Sequence, residues 1–277
     1  MTKTKTYCGF IKIIGQPNVG KSTLLNKLLG KKISITSKKP QTTHQCIMGI
    51  KTINNYQIIY IDTPGISFKK NTTINTSLKS INNVELIIFI VDKIILTDND
   101  LILLSKLKKL HNNIILVINK IDKIIDKKNI LPYIKFISKK INFIHILPIS
   151  AKKEININIL SKIINKYIPE SKHFFTKNNI TDKSKEFIAS EIIREKLIRF
   201  LGDELPYSTN VKIENFHIKK NNLFIIKGLI LIKRPNQKKI IIGKNGNKIK
   251  KIGTEARISM EKFFEYKVHL KIWIKII

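Results

Sequence analysis

One octapeptide constrains this chain more than any other feature: Gly15-Gln16-Pro17-Asn18-Val19-Gly20-Lys21-Ser22. Residues 9–15 before it read as a short apolar strand. After it, Leu24, Leu25, Leu28 and Leu29 share one face of a helix over 21–29, which Gly30 stops. Glycines in such a turn let backbone N–H groups point inward on a polyphosphate, and the positive end of the following helix adds attraction. Lys21 then reaches the β and γ phosphates, and the Ser22 hydroxyl, next to Thr23, ligates Mg²⁺. The loop needs a buried strand beneath it and a helix behind it, which commits this part of the chain to an α/β architecture.

The following sequence agrees. Strands are expected at 45–51, 56–62, 86–91, 114–118 and 144–149, alternating with helical patterns near 99–110, 128–139 and 156–167. This alternation predicts a mainly parallel sheet with helices on both faces. Ligands bind such sheets at the C-terminal ends of the strands, and three further motifs fall there. Asp62-Thr63-Pro64-Gly65 offers a carboxylate to hold Mg²⁺ through water and a Gly65 N–H for the γ-phosphate. Asn119-Lys120-Ile121-Asp122 offers at Asp122 a carboxylate for the N1–H and 2-amino edge of guanine; adenine lacks that donor pair. Ser150-Ala151-Lys152 places backbone N–H groups for guanine O6. The nucleotide is therefore expected to be GTP or GDP.

Together these motifs, spread over 9–167, resemble the translation-factor class of GTPases. The resemblance implies catalytic roles for Lys21, Thr43 and Gly65, and Mg²⁺ ligation by Ser22, Thr43 and Asp62. It also implies nucleotide contacts through 15–23, 62–66, 119–122 and 150–152. Family members carry a switch threonine in the stretch here spanning Ser34 to Thr43; Thr43 fits it, with Thr42 as the alternative. Many relatives place a water-orienting glutamine where Ile66 stands here, and an apolar side chain cannot do that work. No arginine precedes Arg194. Intrinsic turnover is therefore expected to be slow unless another cation stabilises the developing charge. Asn18 corresponds to an asparagine that helps ligate K⁺ in potassium-activated relatives.

A polar stretch without sustained period over 171–184 is expected to link a nucleotide domain, 1–170, to a second, smaller α+β domain, 185–277. Its elements read α-β-β-α-α-β, and Gly243-Lys244-Asn245-Gly246 joins two helices. This resembles a type II KH RNA-binding domain, whose glycine loop clamps about four nucleotides by close backbone approach. Ile242 and Ile249 are expected to wall an apolar groove for bases, with Lys244, Lys248 and Lys251 supplying charge. A GTPase domain followed by such a domain resembles the bacterial Era GTPases. Gln41-Thr42-Thr43, Ala189 to Leu201 and Leu205-Pro206-Tyr207-Ser208 carry the local likeness. The resemblance implies binding to the 3′ region of small-subunit ribosomal RNA during 30S maturation. It also implies a cytoplasmic location with peripheral contact at the inner membrane face. Two alternatives stay open: a nucleotide-sensing RNA-binding module with little catalysis, and a GTPase acting on another RNA.

Net charge does not locate the RNA site. The formal +33 is spread almost evenly, with net +20 over 1–175 and +13 over 176–277. The chain is rich throughout in Lys, Ile and Asn, residues that A/T-only codons can encode. The four arginines, Arg194, Arg199, Arg234 and Arg257, are concentrated in the last third. Two cysteines, Cys8 and Cys46, are too few for a disulfide framework and lack metal-ligand spacing, as suits a reducing compartment. No leader pattern or membrane-spanning run is expected.

Overall fold

The computed structural model describes residues 5–36, 46–63, 83–110, 113–201, 209–219 and 223–277. The switch candidates Thr42 and Thr43, the residues Pro64, Gly65 and Ile66, and the stretch Leu205 to Ser208 lie outside them. The chain divides into two compact units, with the main boundary between Asp182 and Lys183.

In the first unit β1 (Tyr7–Ile14) leads through the phosphate loop into α1 (Lys21–Leu29). There follow β2 (Ile47–Ile53), β3 (Tyr56–Asp62), β4 (Leu86–Val91), α2 (Asp98–Leu110), β5 (Ile114–Ile118), α3 (Ile130–Lys140), β6 (His145–Pro148) and α4 (Ile157–Asn165). The sheet order is β2-β3-β1-β4-β5-β6. Only β2 runs antiparallel to its neighbour. Every residue of β4 and β5 is buried, which is what a strand covered on both faces requires. On one face Ile87, Phe89, Val91, Ile114, Leu116 and Ile118 pack with Leu103, Leu104 and Leu107 of α2 and Tyr133 and Ile137 of α3. The alternate residues Ile88, Ile90, Ile115 and Val117 are fully buried on the other.

The stretch read as a linker does not hang free over its length. Gln57, fully buried in β3, accepts the N–H groups of Phe174 and Phe175 at 2.8 and 2.9 Å. Farther along, the Ile50 N–H donates to Ile180 O at 2.9 Å, the Met48 N–H donates to Asp182 Oδ1 at 3.0 Å, and Thr181 bridges to Gly49. These contacts occupy the outer edge of β2, whose backbone groups would otherwise stand unpaired. Residues 171–182 thus form a strap on the first unit. A polar sequence without period gave no hint of this, because most of the strap's own hydrogen bonds come from its main chain.

In the second unit α5 (Lys185–Phe200) starts at Ser184, whose side chain accepts the Phe187 N–H. Then come β7 (Asn210–Ile218), β8 (Leu223–Ile232), α6 (Pro235–Ile242), α7 (Asn247–Phe264) and β9 (Lys267–Ile276). The sheet order is β7-β8-β9, antiparallel then parallel. The helices cover one face. Their Ile188, Ala189, Ile193, Leu197, Ile241, Ile252, Ala256 and Met260 share one core with Phe224, Ile226, Ile230 and Ile232 of β8.

Candidate functional site

In the phosphate loop the backbone turns through two left-handed residues, Asn18 (φ 65°) and Gly20 (φ 105°). At Gly20 a side chain would also collide with Asn119, since a Cβ there would stand 2.3 Å from Asn119 Nδ2. Lys21 is buried, and its ammonium donates to Gly15 O at 3.1 Å and Gln16 O at 2.7 Å, so it is folded back over the loop. Burial pushes its pKa down to about 8, against the pull of the Asp62 charge. A charge held so poorly solvated is suited to receive phosphate oxygens.

Asp62, at the end of β3, is fully buried. Its Oδ2 accepts the Ser22 hydroxyl at 2.8 Å and the Ser34 hydroxyl at 3.0 Å. Burial raises its carboxyl pKa, opposed by Lys21 and the two serines. Its Oδ1 is buried without a hydrogen-bond partner among the described residues. An orphaned carboxylate oxygen beside a serine hydroxyl, with a lysine near, fits the water shell of a divalent cation bound with a polyphosphate. Thr63 is buried too, its hydroxyl donating to Ile13 O at 3.0 Å.

The guanine motifs are joined to the phosphate loop by hydrogen bonds. Asn119 is buried; its Nδ2 donates to Val19 O at 2.8 Å and its Oδ1 accepts the Ala151 N–H at 2.9 Å. One side chain therefore ties the phosphate loop to the Ser150–Lys152 segment. Lys120 adopts φ 62° and donates to Asn18 O at 2.6 Å and Asp92 Oδ2 at 2.7 Å. Ile121 donates its N–H to Ile149 O at 3.2 Å. Asp122 stands exposed, one oxygen accepting the buried Ser150 hydroxyl at 2.5 Å. That bond is the main reason its carboxyl lies below the usual range, so it is ionised and ready to accept a base edge.

Sequence reasoning missed the supports. Asn26 Oδ1 accepts the N–H groups of Ile33 and Ser34 at 2.9 and 3.0 Å, which aims Ser34 at Asp62. Asp92 anchors Lys120. Gln16 Nε2 donates to Thr97 Oγ1 at 2.6 Å, and Thr97 donates in turn to the buried Asp100 at 2.8 Å. Thr97 and Asp100 also exchange backbone bonds at the start of α2. This last pair was legible, since Thr-x-x-Asp before an apolar run is a helix-start pattern. Asn26, Asp92 and Ser34 carry no local signal; only the fold brings them near.

The second unit has its own site. Gly243 (φ 72°, ψ 179°), Asn245 (φ 52°) and Gly246 (φ 74°) form the turn between α6 and α7, with Lys244 and Asn245 exposed. Beside it a groove of about 300 Å³ runs between α7 and β9, lined by Ile249, Lys250, Gly253, Thr254, Arg257, Leu270 and Ile272. Ile249 stands where the sequence reading put it. Ile242, Lys248 and Lys251 do not line the groove, and Lys251 instead lies over the Phe200 ring at 5.1 Å. Helical phase sets which residues of α7 line the groove: Lys250, Gly253, Thr254 and Arg257 share the face turned to β9. Arg257 is aimed by Glu261, whose two oxygens accept its Nη1 at 3.0 and 3.1 Å.

Both units have known relatives. A family profile described as 50S ribosome-binding GTPase matches residues 10–120, and one described as KH domain matches 204–277. GTPase Era of Yersinia pestis is 52% identical over 98% of this chain and 91% of its own length. The same holds for GTPase Era of Yersinia pseudotuberculosis. Among solved structures, a variant of Aquifex aeolicus Era bound to GDP and tetrafluoroaluminate superposes with a TM-score of 0.91 at 40% identity, covering 98% of this chain and 94% of that one. An Era complex with MgGDPNP and nucleotides 1506–1542 of 16S ribosomal RNA gives 0.90 at the same identity and coverage.

Proposed function

Because the chain belongs to the Era family of GTPases, we propose that it is a GTP-hydrolysing switch. In this reading it binds the 3′ region of small-subunit ribosomal RNA and assists maturation of the 30S subunit. The observation that carries it is the Asn119 brace. One buried side chain joins the phosphate loop to the guanine segment, and the exposed Asp122 carboxylate accepts the Ser150 hydroxyl of that segment. Lys21 and the loop N–H groups would take the β and γ phosphates, and Ser22 and Asp62 would hold Mg²⁺ with its waters. Bound there, Mg²⁺ neutralises charge on the phosphates. Thr43 and Gly65 complete the reading as the switch threonine and the γ-phosphate N–H. Residues 1–170 act as the nucleotide domain and 185–277 as the RNA domain.

At the RNA site, Gly243 to Gly246 would take the phosphate backbone, and Ile249, Thr254 and Arg257 the bases. Ile242, Lys248 and Lys251 remain as flanking contacts of the same loop. A cytoplasmic location and peripheral membrane contact belong to the same reading; flotation with anionic vesicles tests the second.

Turnover is the decisive measurement. Slow multiple-turnover GTP hydrolysis is expected, rising when RNA carrying the small-subunit 3′ sequence is added. If Asn18 helps hold K⁺, the rate is also higher in K⁺ than in Na⁺. Equal rates in the two salts would remove K⁺ from the reading, and absence of RNA stimulation would favour a nucleotide-sensing module. Base selection is tested separately. Asp122→Asn should shift preference from GTP towards xanthosine triphosphate, and unchanged GTP affinity in this variant refutes the role given to Asp122.

A further inference from the structure

Strand β9 has a second face that neither the pocket nor the groove uses. Val268 is buried in the core, and Leu270 and Ile272 line the groove. The alternate positions Lys267, His269, Lys271, Trp273 and Lys275 are all exposed. Strand register extends this row across the sheet. Trp273 pairs with Leu229 and Leu229 with Lys212, while Lys271 pairs with Lys227. Glu214, on the bulge in β7, is the one acid in the three strands.

Two properties of this face need an explanation. Like charges placed directly opposite on neighbouring strands repel, and Lys227 and Lys271 are so placed. A lysine-rich composition accounts for lysines at exposed positions but not for Trp273. It is the chain's single tryptophan, it is 58% exposed, and an exposed indole forgoes much of the burial it offers. An aromatic platform set among cations is the recurring means of holding a single-stranded nucleic acid, because every base has a stacking face and every nucleotide a phosphate. Polyanion binding would also relieve the Lys227–Lys271 repulsion.

We propose that the outward face of β9 is a second contact for single-stranded RNA, distinct from the α7–β9 groove. Trp273 stacks on one unpaired base, and Lys212, Lys227, Lys271 and Lys275 neutralise the adjoining phosphates. This inference rests on the RNA-binding reading above.

Since Trp273 is the only tryptophan, intrinsic indole fluorescence of the full chain reports on this face alone. The full chain is titrated with a labelled single-stranded RNA of about 20 nucleotides, long enough at 4–16 nucleotides per site for both contacts. Anisotropy and indole emission are read together. Quenching in step with binding is expected, and it should persist in Gly246→Asp, which damages the glycine loop. Trp273→Ala should weaken binding about tenfold, as loss of one stacked base does. Lys271→Glu with Lys275→Glu should weaken it further and flatten the salt dependence by roughly one to two in log–log slope. Circular dichroism of the variants should match the parent. RNA binding by anisotropy with unchanged indole emission overturns the inference and leaves the RNA reading standing; absence of any anisotropy change overturns both. Quenching lost together with the glycine loop, a blue shift with anionic vesicles but none with RNA, or quenching that follows protein concentration alone would each assign the face elsewhere.

Discussion

The phosphate loop and the Gly243–Gly246 turn solve the same local problem in opposite surroundings. Both place left-handed residues before a helix, so that backbone comes close to a phosphate. The first is enclosed: Asn119 and Lys120, after β5, and Asp62, at the end of β3, reach in to brace it or its Ser22. The second lies open, with Lys244 and Asn245 exposed and, among the described residues, only backbone bonds of its own across it, from Gly246 N–H to Gly243 O at 3.2 Å and from Asn247 N–H to Lys244 O. Enclosure fixes the guanine motifs against the loop, so that a wrong base leaves the Asp122 carboxylate without its donor pair. An open turn pays no such penalty and is suited to the repeating backbone of a nucleic acid.

The sharpest way to break this comparison is to remove the brace. Asn119→Ala strips partners from the buried Val19 carbonyl and the Ala151 N–H, each costing about 1–3 kcal/mol. Nucleotide affinity, followed with a fluorescent guanine nucleotide, should fall by about 100-fold or more, while RNA affinity stays unchanged. A drop below about tenfold would mean that the loop is held by its own geometry, and the contrast with the open turn would lose its basis.

A smaller effect separates the two glycines of the open turn. Gly243 combines φ 72° with ψ 179°, a region nearly closed to other residues, and a Cβ there would stand 2.7 Å from Lys248 Cβ. Gly246 is left-handed with nothing within 4 Å of an added Cβ. Gly243→Ala should therefore destabilise the second unit by about 2–3 kcal/mol and Gly246→Ala by about 1 kcal/mol. Denaturant unfolding distinguishes them; equal losses would show that neither the ψ of Gly243 nor its approach to Lys248 adds to the cost of a positive φ.

The same contrast explains what was legible in the sequence. Enclosed strands announce themselves by apolar runs: Leu86 to Val91 and Ile114 to Ile118 fall where the composition puts them. The four pocket motifs are contiguous, so each could be read locally. Asn26, Ser34 and Asp92 act on motifs distant in sequence, and no local pattern marks a residue whose partner the fold supplies. In the second unit the glycine turn and an apolar groove at Ile249 were readable, but the remaining lining residues of the groove were not. A one-residue change of helical phase decides whether Lys250 or Lys251 faces β9. The strap over 171–182 escaped for another reason. Its Phe174 and Phe175 amides meet Gln57, and main-chain bonds leave no trace in side-chain chemistry.

The smallest effect concerns how the open site keeps its arginine aimed. Glu261 is held below the usual carboxylate range chiefly by the Val268 N–H at 3.2 Å, with Arg257 adding to it. A carboxyl whose folded pKa is depressed contributes stability that is present above its ordinary value and lost as pH falls through the folded one. The second unit should therefore lose stability from about pH 5 downward, and Glu261→Gln should lose less over the same range. Because the ion pair is partly exposed, the difference should stay below about 1 kcal/mol. Acidification should also free Arg257 from its partner, changing RNA affinity without changing guanine-nucleotide affinity measured at the same pH. A parallel change in both would tie the groove to the enclosed pocket, and the division between a site that reads identity and one that reads backbone would no longer hold.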